Sequence, residues 1–255
     1  MLSRKLLDLH LSQASTALQK ARSFSYSDKH KENYHRKLDE LFKKISDEIN
    51  TKNPTLDTDV FIYKKHLDFI FKSLEFLGSS TLNLIPFEIV ECLNHALNDW
   101  IDRGSESFII VTSLINNIQG FSFDPTLAFN DAIYTEIDTR YSLTFEKRLI
   151  QINLPRTLSR DYLTAVVLYH ELGHFIDYKL SIVESLKIDL RTQYYAGTLA
   201  GILADIKQFI PFFEDVLGTN DEIAIAYHLS EYYCDLFASQ YVGESSSHFL
   251  SYLTE

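Results

Sequence analysis

The sequence AVVLYHELGHFIDY, residues 165–178, contains two histidines four positions apart, with a glutamate directly after the first. Apolar residues flank the HELGH pentapeptide on both sides, which is typical of a packed amphipathic helix. On a helix, His170 and His174 lie on one face, so both imidazoles can point toward one ion. Glu171 follows the first histidine and can reach a water beside that ion. The pattern therefore predicts a two-histidine metal site with an adjacent general base.

A catalytic zinc site of this kind needs a third protein ligand, because zinc there has three protein donors and one open position. The segment HLSEYYCDLFASQYVG, residues 228–243, supplies the strongest candidate, Glu231. Asp235 lies one helical turn later and can accept the second N–H of a ligand histidine, which fixes that histidine's tautomer. A bound cation would explain both acidic side chains on this otherwise apolar and aromatic helix.

Other acidic residues are weaker candidates for the third ligand. Asp177 lies on the same helix as the two histidines, too near them for the usual loop-borne aspartate ligand. Glu184 and Glu222 have no acidic residue one turn later to orient a ligand. An ordinary helix pair without metal stays open: the histidines would then bond to backbone groups, and the acidic pair would face solvent or form salt bridges.

Taken together, the two segments resemble gluzincin-type zinc metallopeptidases, in particular the CaaX-prenyl-protease and heat-shock-protease type with its soluble minigluzincin relatives. AVVLYHELGH resembles the small-apolar-HExxH pattern of that group, and EYYCDLFAS resembles its Glu-x-x-Ala-Asp-x-x-Ala segment. The resemblance covers roughly residues 147–242 and leaves out the first hundred residues. Cys234 departs from the alanine common in the family. A small apolar cysteine fits that position, and a thiolate ligand is the alternative.

The resemblance implies a role for each matching residue. His170, His174 and Glu231 would bind Zn²⁺, Glu171 would be the general base, and Asp235 would orient a ligand histidine. The chain would then be a zinc metallopeptidase that hydrolyses peptide bonds in a protein or peptide substrate. Two alternatives remain: a catalytically silent, metal-binding interaction or regulatory protein on a zincin fold, and a helical scaffold without metal.

The first hundred residues predict four helices. Apolar residues recur at helical spacing in two stretches before Pro54, which breaks the pattern. A third helix is expected to begin at Asp57 or Thr58 and end at Gly78. The fourth helix is expected to start near Pro86, a favoured first-turn residue, and to stop at a glycine, Gly104.

The residue types change in the middle of the chain, where they predict a small sheet. Residues 107–115 are β-branched and read as a strand. Residues 147–155 alternate apolar and polar side chains and read as an edge strand. A peptide substrate would lie along that edge by β-augmentation. Residues 120–145 read as loops with one or two short strands.

The last third of the chain is expected to be helical. Ser159 or Asp161 can cap a helix that runs to about Tyr178. One or two helices are expected in 181–217, and a long helix in 221–242, between a cap at Asn220 and a stop at Gly243. A short helix, HFLSYLTE, is expected to follow at the C-terminus.

These elements predict a mostly helical α+β protein, in which a helical N-terminal region, 1–105, precedes a zincin-like domain, 106–255. The 45% of hydrophobic residues suffices for a sizeable core. The net charge of −11 argues against nucleic-acid binding. Residues 1–50 are basic, with 10 Lys+Arg and 7 Asp+Glu, and can serve as a surface for a regulatory partner.

Composition also bears on location. The 2 cysteines form no disulfide framework, which is typical of a reducing compartment. The N-terminal segment lacks the apolar stretch of a secretion signal. No apolar run approaches the roughly 18 residues of a membrane span. These features predict a cytoplasmic protein without a membrane span.

Overall fold

The structure of the chain is a computed structural model that describes residues 2–26, 28–54, 56–79, 86–101, 107–116, 121–158, 165–199 and 222–243. It consists of two compact units, Met1–Asp161 and Tyr162–Glu255. Over the described residues it is mostly helical and has one three-stranded sheet. The prediction of a mostly helical α+β protein with a small sheet is confirmed at this level.

Four helices begin the first unit: α1 (Leu2–Ala21), α2 (Lys29–Lys52), α3 (Asp57–Ser79) and α4 (Phe87–Trp100). All four were expected from the periodicity of apolar residues. The bounds of α3 agree with the prediction to within one residue. Helix α4 begins next to Pro86 as predicted, but it ends at Trp100, and Gly104 lies outside the described residues.

Local chemistry sets the ends of α2. The carboxylate of Asp28 accepts a hydrogen bond from the backbone N–H of His30, which satisfies one of the donors that a helix start leaves unpaired. At the other end, Asn53 adopts a left-handed conformation with φ of 45°. Asparagine tolerates this conformation better than most residues, and Pro54 directly after it cannot continue the helix.

The core of the first unit forms around α3, which packs against α1, α2 and strand β1 (Ser107–Ile115). Fully buried leucine and isoleucine side chains make up most of it, and each stabilises the fold by about 1.5–3 kcal/mol relative to exposure. The core includes Leu7, Leu38, Leu41, Ile45, Ile49, Leu67, Ile70, Leu77 and Leu149.

The sheet has the order β1–β3–β2, with β2 at Ser122–Asp124 and β3 at Lys147–Pro155. Strand β3 is parallel to β1 along its whole length and antiparallel to β2 at residues 151–153. The prediction that β3 is an edge strand is therefore wrong, and so is the prediction that its free edge takes up a peptide. Consecutive burial of Leu149 to Ile152 fits this central position, since a central strand is covered on both faces.

A helix, α5 (Asp131–Tyr141), occupies a segment that was expected to contain only loops and short strands. The side chain of Asn130 accepts a hydrogen bond from the N–H of Ile133 and starts this helix. Its buried residues, Ile133, Tyr134, Ile137 and Tyr141, follow helical spacing and face α3. The turn residues before the segment and the charged residues inside it obscured this periodicity.

The division of the chain differs from the predicted boundary at 105 and 106. The sheet belongs to the first unit, because Ile109 and Leu149 share one core with the N-terminal helices. Strand β1 packs against both α3 and α4. A composition change at residue 106 thus marked a change of secondary structure within one core.

The second unit contains three helices in its described residues: α6 (Ala165–Leu180), α7 (Ile182–Tyr195) and α8 (Glu222–Val242). Helix α8 packs against both α6 and α7. Gly243, with φ of 57°, ends α8 where the sequence predicted a stop. The predicted caps at Ser159, Asp161 and Asn220, and the predicted C-terminal helix, lie outside the described residues.

In the parts of the chain that the structure describes, no helix combines the length and the apolar character that crossing a membrane requires.

Candidate metal centre

Two helices supply the polar cluster that the sequence singled out. His170 and His174 lie on α6, and Glu231 and Asp235 lie on α8. Helices α6 and α8 pack against each other. Both bury apolar side chains: Leu168, Leu172, Phe175, Ile176, Ile225, Leu229, Phe237 and Ala238. Tyr169 of α6 and Tyr241 of α8 also stack, with ring centroids 5.1 Å apart.

Gly173 determines how closely α8 approaches α6. A Cβ atom at this position would lie 3.1 Å from Cα and 3.2 Å from Sγ of Cys234. Contacts this short are tighter than almost all real Cβ contacts, so a larger residue would require Cys234 to shift, whereas glycine lets the two backbones come together here. This close approach brings the residues on either side of Cys234 within reach of the histidines.

The donor atoms of the predicted ligands converge. The Nε2 atoms of His170 and His174 are 3.1 Å apart. The carboxylate of Glu231 lies over this pair, with Oε2 at 3.4 Å from Nε2 of His170 and Oε1 at 3.6 Å from Nε2 of His174. The two imidazoles are about one-fifth exposed, so solvent can still reach the cluster.

The other nitrogen of each imidazole contacts a different partner. Nδ1 of His170 is 2.9 Å from Oδ1 of Asp235, the contact that the four-residue spacing on α8 predicted. Nδ1 of His174 is 3.2 Å from Oγ of Ser230. Ser230 was not among the predicted site residues, and its position directly before Glu231 was the available signal. If each Nδ1 donates to its partner, each Nε2 carries a lone pair.

Two lone pairs 3.1 Å apart, beside a carboxylate, repel one another unless a positive charge lies between them. A proton or a metal ion can supply that charge. The arrangement therefore favours a cation, either a proton or a metal ion, between the two imidazoles.

The protonation behaviour of the pair points the same way. Burial alone would lower the pKa of His170, but the hydrogen bond and charge of Asp235, together with the charges of Glu171 and Glu231, outweigh it and raise that pKa. Burial and the charge of His170 lower the pKa of His174. Opposite shifts at two touching imidazoles mean that the cluster favours one positive charge and disfavours two.

The separations between donor atoms fit zinc. Ligand atoms at Zn–N and Zn–O distances of about 2.0–2.1 Å in a tetrahedron are roughly 3.3–3.4 Å from one another. The three separations in the cluster are 3.1, 3.4 and 3.6 Å. Two imidazoles and one carboxylate are also a known donor set for catalytic zinc.

Cys234 lies close to the same point. Its Sγ atom and the ligand atoms of His170 and His174 all lie within 4.8 Å of one another. The thiol is buried, and burial followed by the charges of nearby carboxylates raises its pKa. The thiol is therefore protonated at neutral pH, which makes it a poor ligand unless a metal displaces its proton.

The structure also places the other candidate residues. Glu171 is half-buried, and its charge acts on His170. Asp177 contacts Ser230 and the backbone of α7, so its carboxylate is not directed at the histidine pair. Glu184 is largely exposed and pairs with Lys187. The side chain of Glu222 lies outside the described residues.

No protein-family model, no curated protein and no solved structure matches the chain. The functional assignment therefore depends on the geometry and chemistry of the cluster itself.

Proposed function

We propose that the chain is a zinc-dependent metallopeptidase of the gluzincin kind, with a zincin-like catalytic region built on α6 and α8. The observation that supports this proposal most strongly is the convergence of both Nε2 atoms and the Glu231 carboxylate. Each Nδ1 atom contacts another protein group. His170, His174 and Glu231 would hold the zinc, and Asp235 would orient His170. The substrate would be a protein or peptide.

The residues divide the chemistry between them. Zinc in such a site supplies Lewis-acid chemistry, which polarises a peptide carbonyl and acidifies water. The carboxylate of Glu171 would accept a proton from the attacking water and pass it to the leaving amine. Asp235 would keep His170 in the tautomer that presents Nε2, at a distance of 2.9 Å from Nδ1.

The intact glutamate favours catalysis over a purely structural metal site. A structural site needs no general base, and it normally has four protein ligands. Glu171 lies directly after the first histidine, where a base for a water beside the metal is required. Three protein ligands would leave the fourth position of a zinc ion to that water.

The test is the substitution Glu171→Gln, which removes the base and keeps the shape of the side chain. We expect zinc affinity to stay within about threefold of the parent, while cleavage of unfolded casein and of a mixed peptide library falls by about 10²–10⁴-fold. Parent activity should disappear with a chelator and return with zinc.

Glu184→Gln is the matched control, because Glu184 is an exposed glutamate on the next helix whose ion pair among the described residues is with Lys187. It should leave both zinc affinity and cleavage unchanged. Full activity of Glu171→Gln, or parent activity that is indifferent to chelators, would contradict the proposal.

The nearness of Cys234 favours a second candidate function, a metal-stabilised interaction or regulatory protein without catalysis. If Cys234 were a fourth ligand, the site would be closed to water and therefore structural. Cobalt substitution separates the two, because a thiolate ligand adds a strong near-ultraviolet charge-transfer band that histidine and carboxylate ligands lack.

The catalytic proposal predicts that this band is absent and that Cys234→Ala binds metal as tightly as the parent. A thiolate band, together with metal binding but no cleavage of any peptide, would favour the structural site instead.

A further inference from the structure

We propose that Ser230 and Asp177 form a positioning chain that holds His174 in the tautomer protonated on Nδ1, so that its Nε2 presents a lone pair to the metal. The inference rests on the metal site of the proposed function and assigns two residues to which that function gives no role. Neither residue touches the metal position. They act through His174.

The positioning chain consists of three hydrogen-bond contacts that join three helices. Nδ1 of His174 on α6 is 3.2 Å from Oγ of Ser230 on α8. The same hydroxyl donates to Oδ2 of Asp177, at 3.3 Å. Oδ1 of Asp177 accepts a hydrogen bond of 2.7 Å from the backbone N–H of Val183, in the first turn of α7.

The direction of each hydrogen bond follows from the inventory of donors. A carboxylate accepts hydrogen bonds and donates none, so the single proton of the Ser230 hydroxyl goes to Asp177. The serine oxygen can then only accept from His174, which places the imidazole proton on Nδ1. Nε2 is left as an acceptor, the form that binds metal.

The anchor at Val183 keeps Asp177 in place. Its Oδ1 is held by a backbone N–H, so Oδ2 is the oxygen that faces Ser230. Ser181, between α6 and α7, has a left-handed conformation with φ of 54°, and the turn that it forms carries the backbone of Val183 back toward Asp177. The start of α7 therefore positions the carboxylate, which in turn positions the metal-facing imidazole.

A carboxylate supports each of the two histidines, but the contact is direct at one and passes through a hydroxyl at the other. Asp235 contacts Nδ1 of His170 directly and is 64% exposed. Asp177 reaches His174 through a hydroxyl, and it is less exposed. Partners of this kind around metal-binding histidines change metal affinity by about 10–100-fold when they are removed.

The decisive variant is Asp177→Asn. Its Oδ1 can keep the bond to the N–H of Val183, which orients the amide so that its NH₂ group faces Ser230. The NH₂ group donates, so the proton of the serine hydroxyl loses its acceptor at position 177 and becomes free to turn to Nδ1 of His174. When it does, the imidazole proton moves to Nε2, and the lone pair that should face the metal is lost.

Two readouts test the chain. In metal-free protein labelled with ¹⁵N-histidine, the nitrogen shifts of His174, assigned by comparison with His174→Ala, report its tautomer. We expect the Nδ1–H form in the parent and the Nε2–H form in Asp177→Asn. In chelator-competition titrations we expect Ser230→Ala to weaken zinc binding by about 10–100-fold and Asp177→Asn by at least as much.

Ser230→Thr keeps the hydroxyl and should restore most of the affinity lost in Ser230→Ala. Ser239→Ala is the matched control, because Ser239 is on the same helix and its hydroxyl donates to the carbonyl of Leu236. That control should bind zinc like the parent. Circular dichroism of each variant shows whether α6, α7 and α8 keep their helical content.

Failure of the inference and failure of the proposed function give different results. A parent that binds zinc while both Ser230→Ala and Asp177→Asn bind it equally well overturns the positioning chain alone. An Nε2–H tautomer of His174 in the parent also overturns it. A parent with the Nδ1–H tautomer that binds no zinc overturns the proposed function and upholds the positioning role.

Discussion

The two units each contain a cluster of histidine and carboxylate groups, and the clusters differ in how they balance charge. In the first unit, His66 is fully buried, with Nδ1 at 2.9 Å from the hydroxyl of Tyr141 and Nε2 at 3.1 Å from Glu136. Glu136 in turn pairs with Lys65 at 2.6 Å. Lys65 therefore balances the charge of Glu136 within the protein.

In the second unit, His170 and His174 face each other through Nε2. The carboxylates of Glu231 and Asp235 lie beside these imidazoles. The two nitrogens of His66 contact two different residues, whereas the Nε2 atoms of His170 and His174 converge on each other beside a carboxylate. The proposed metal site rests on that convergence. Burial alone does not separate the two cases.

The largest expected effect comes from exchanging the two kinds of histidine for alanine. His174→Ala removes a ligand and should weaken zinc binding by more than about 100-fold, the upper range for loss of a ligand's partner. His66→Ala should leave zinc affinity unchanged and lower the free energy of unfolding of the first unit by about 1–3 kcal/mol, because Tyr141 and Glu136 lose a buried partner.

Chelator competition measures the affinity, and urea unfolding measures the stability. Trp100 is the only tryptophan in the sequence and lies at the end of α4, so its fluorescence reports on the first unit. Equal zinc binding by His174→Ala and the parent would remove the distinction between the two clusters.

The next effect tests charge balance within the first unit. The guanidinium of Arg140 binds both carboxylate oxygens of Glu48, at 3.0 and 3.1 Å, and lies over the ring of Tyr63. Arg140→Met leaves the largely shielded carboxylate of Glu48 without these two hydrogen bonds. The free energy of unfolding should therefore fall by about 1.5–3 kcal/mol. Zinc affinity should not change.

Arg36→Met is the control for this prediction, because Arg36 bonds only to the exposed Asn33 on its own helix in the described contacts. It should change the free energy of unfolding by less than about 0.5 kcal/mol. If Arg140→Met were as mild as this control, the ion pairs of the first unit would not stabilise it measurably.

A third prediction compares a glycine from each unit. Gly173→Ala places a Cβ 3.1 Å from the backbone of Cys234, so α8 must move away, at a cost of about 1–3 kcal/mol, and zinc affinity should fall. In Gly78→Ala the new Cβ meets only the ring of Phe24, at 3.2 Å, and a side chain can shift.

Thermal unfolding followed by circular dichroism, together with zinc titration, measures both variants. Gly78→Ala should change stability by less than about 1 kcal/mol, since the gain in helix propensity offsets the contact. Unchanged zinc affinity in Gly173→Ala would show that close backbone approach does not set the position of Glu231.

The smallest expected effect is on the pH dependence of the first unit. Burial alone would raise the pKa of Glu48, Glu136 and Asp124, but hydrogen bonds and positive charges, from Arg140 and Lys52, from Lys65 and His66, and from Thr126 and Lys72 respectively, outweigh it and lower each pKa. Carboxylates with lowered pKa values stabilise the fold above their ordinary pKa and lose this contribution as the pH falls.

Urea unfolding followed by Trp100 fluorescence at pH 7, 5 and 4 should therefore show stability declining below about pH 5, as the unfolded-state carboxylates begin to take up protons. Glu136→Gln should flatten this decline. High salt should weaken it too, since these pairs are partly exposed and screened. Stability that rises on acidification would contradict the assignment.

The sequence predicted the elements that carry local, periodic signals. The four N-terminal helices, strands β1 and β3 and helices α6 to α8 follow the apolar spacing and the Pro, Asn and Gly stops. Helix α5 was not predicted, because Asp, Glu and Arg are interleaved with its buried residues. The position of β3 in the sheet was wrong, since strand order depends on pairing between distant segments.

For the candidate site, the order of residues along the chain already determined which side chains can share a face: His170 with His174, and Glu231 with Asp235. Helical periodicity is a local property, and a spacing of four suffices for it. Only the tertiary structure decided that these two faces meet, with Gly173 against Cys234, and that Ser230 and Asp177 reach His174. Those contacts join residues more than fifty positions apart, and packing between helices, which no local pattern encodes, sets them.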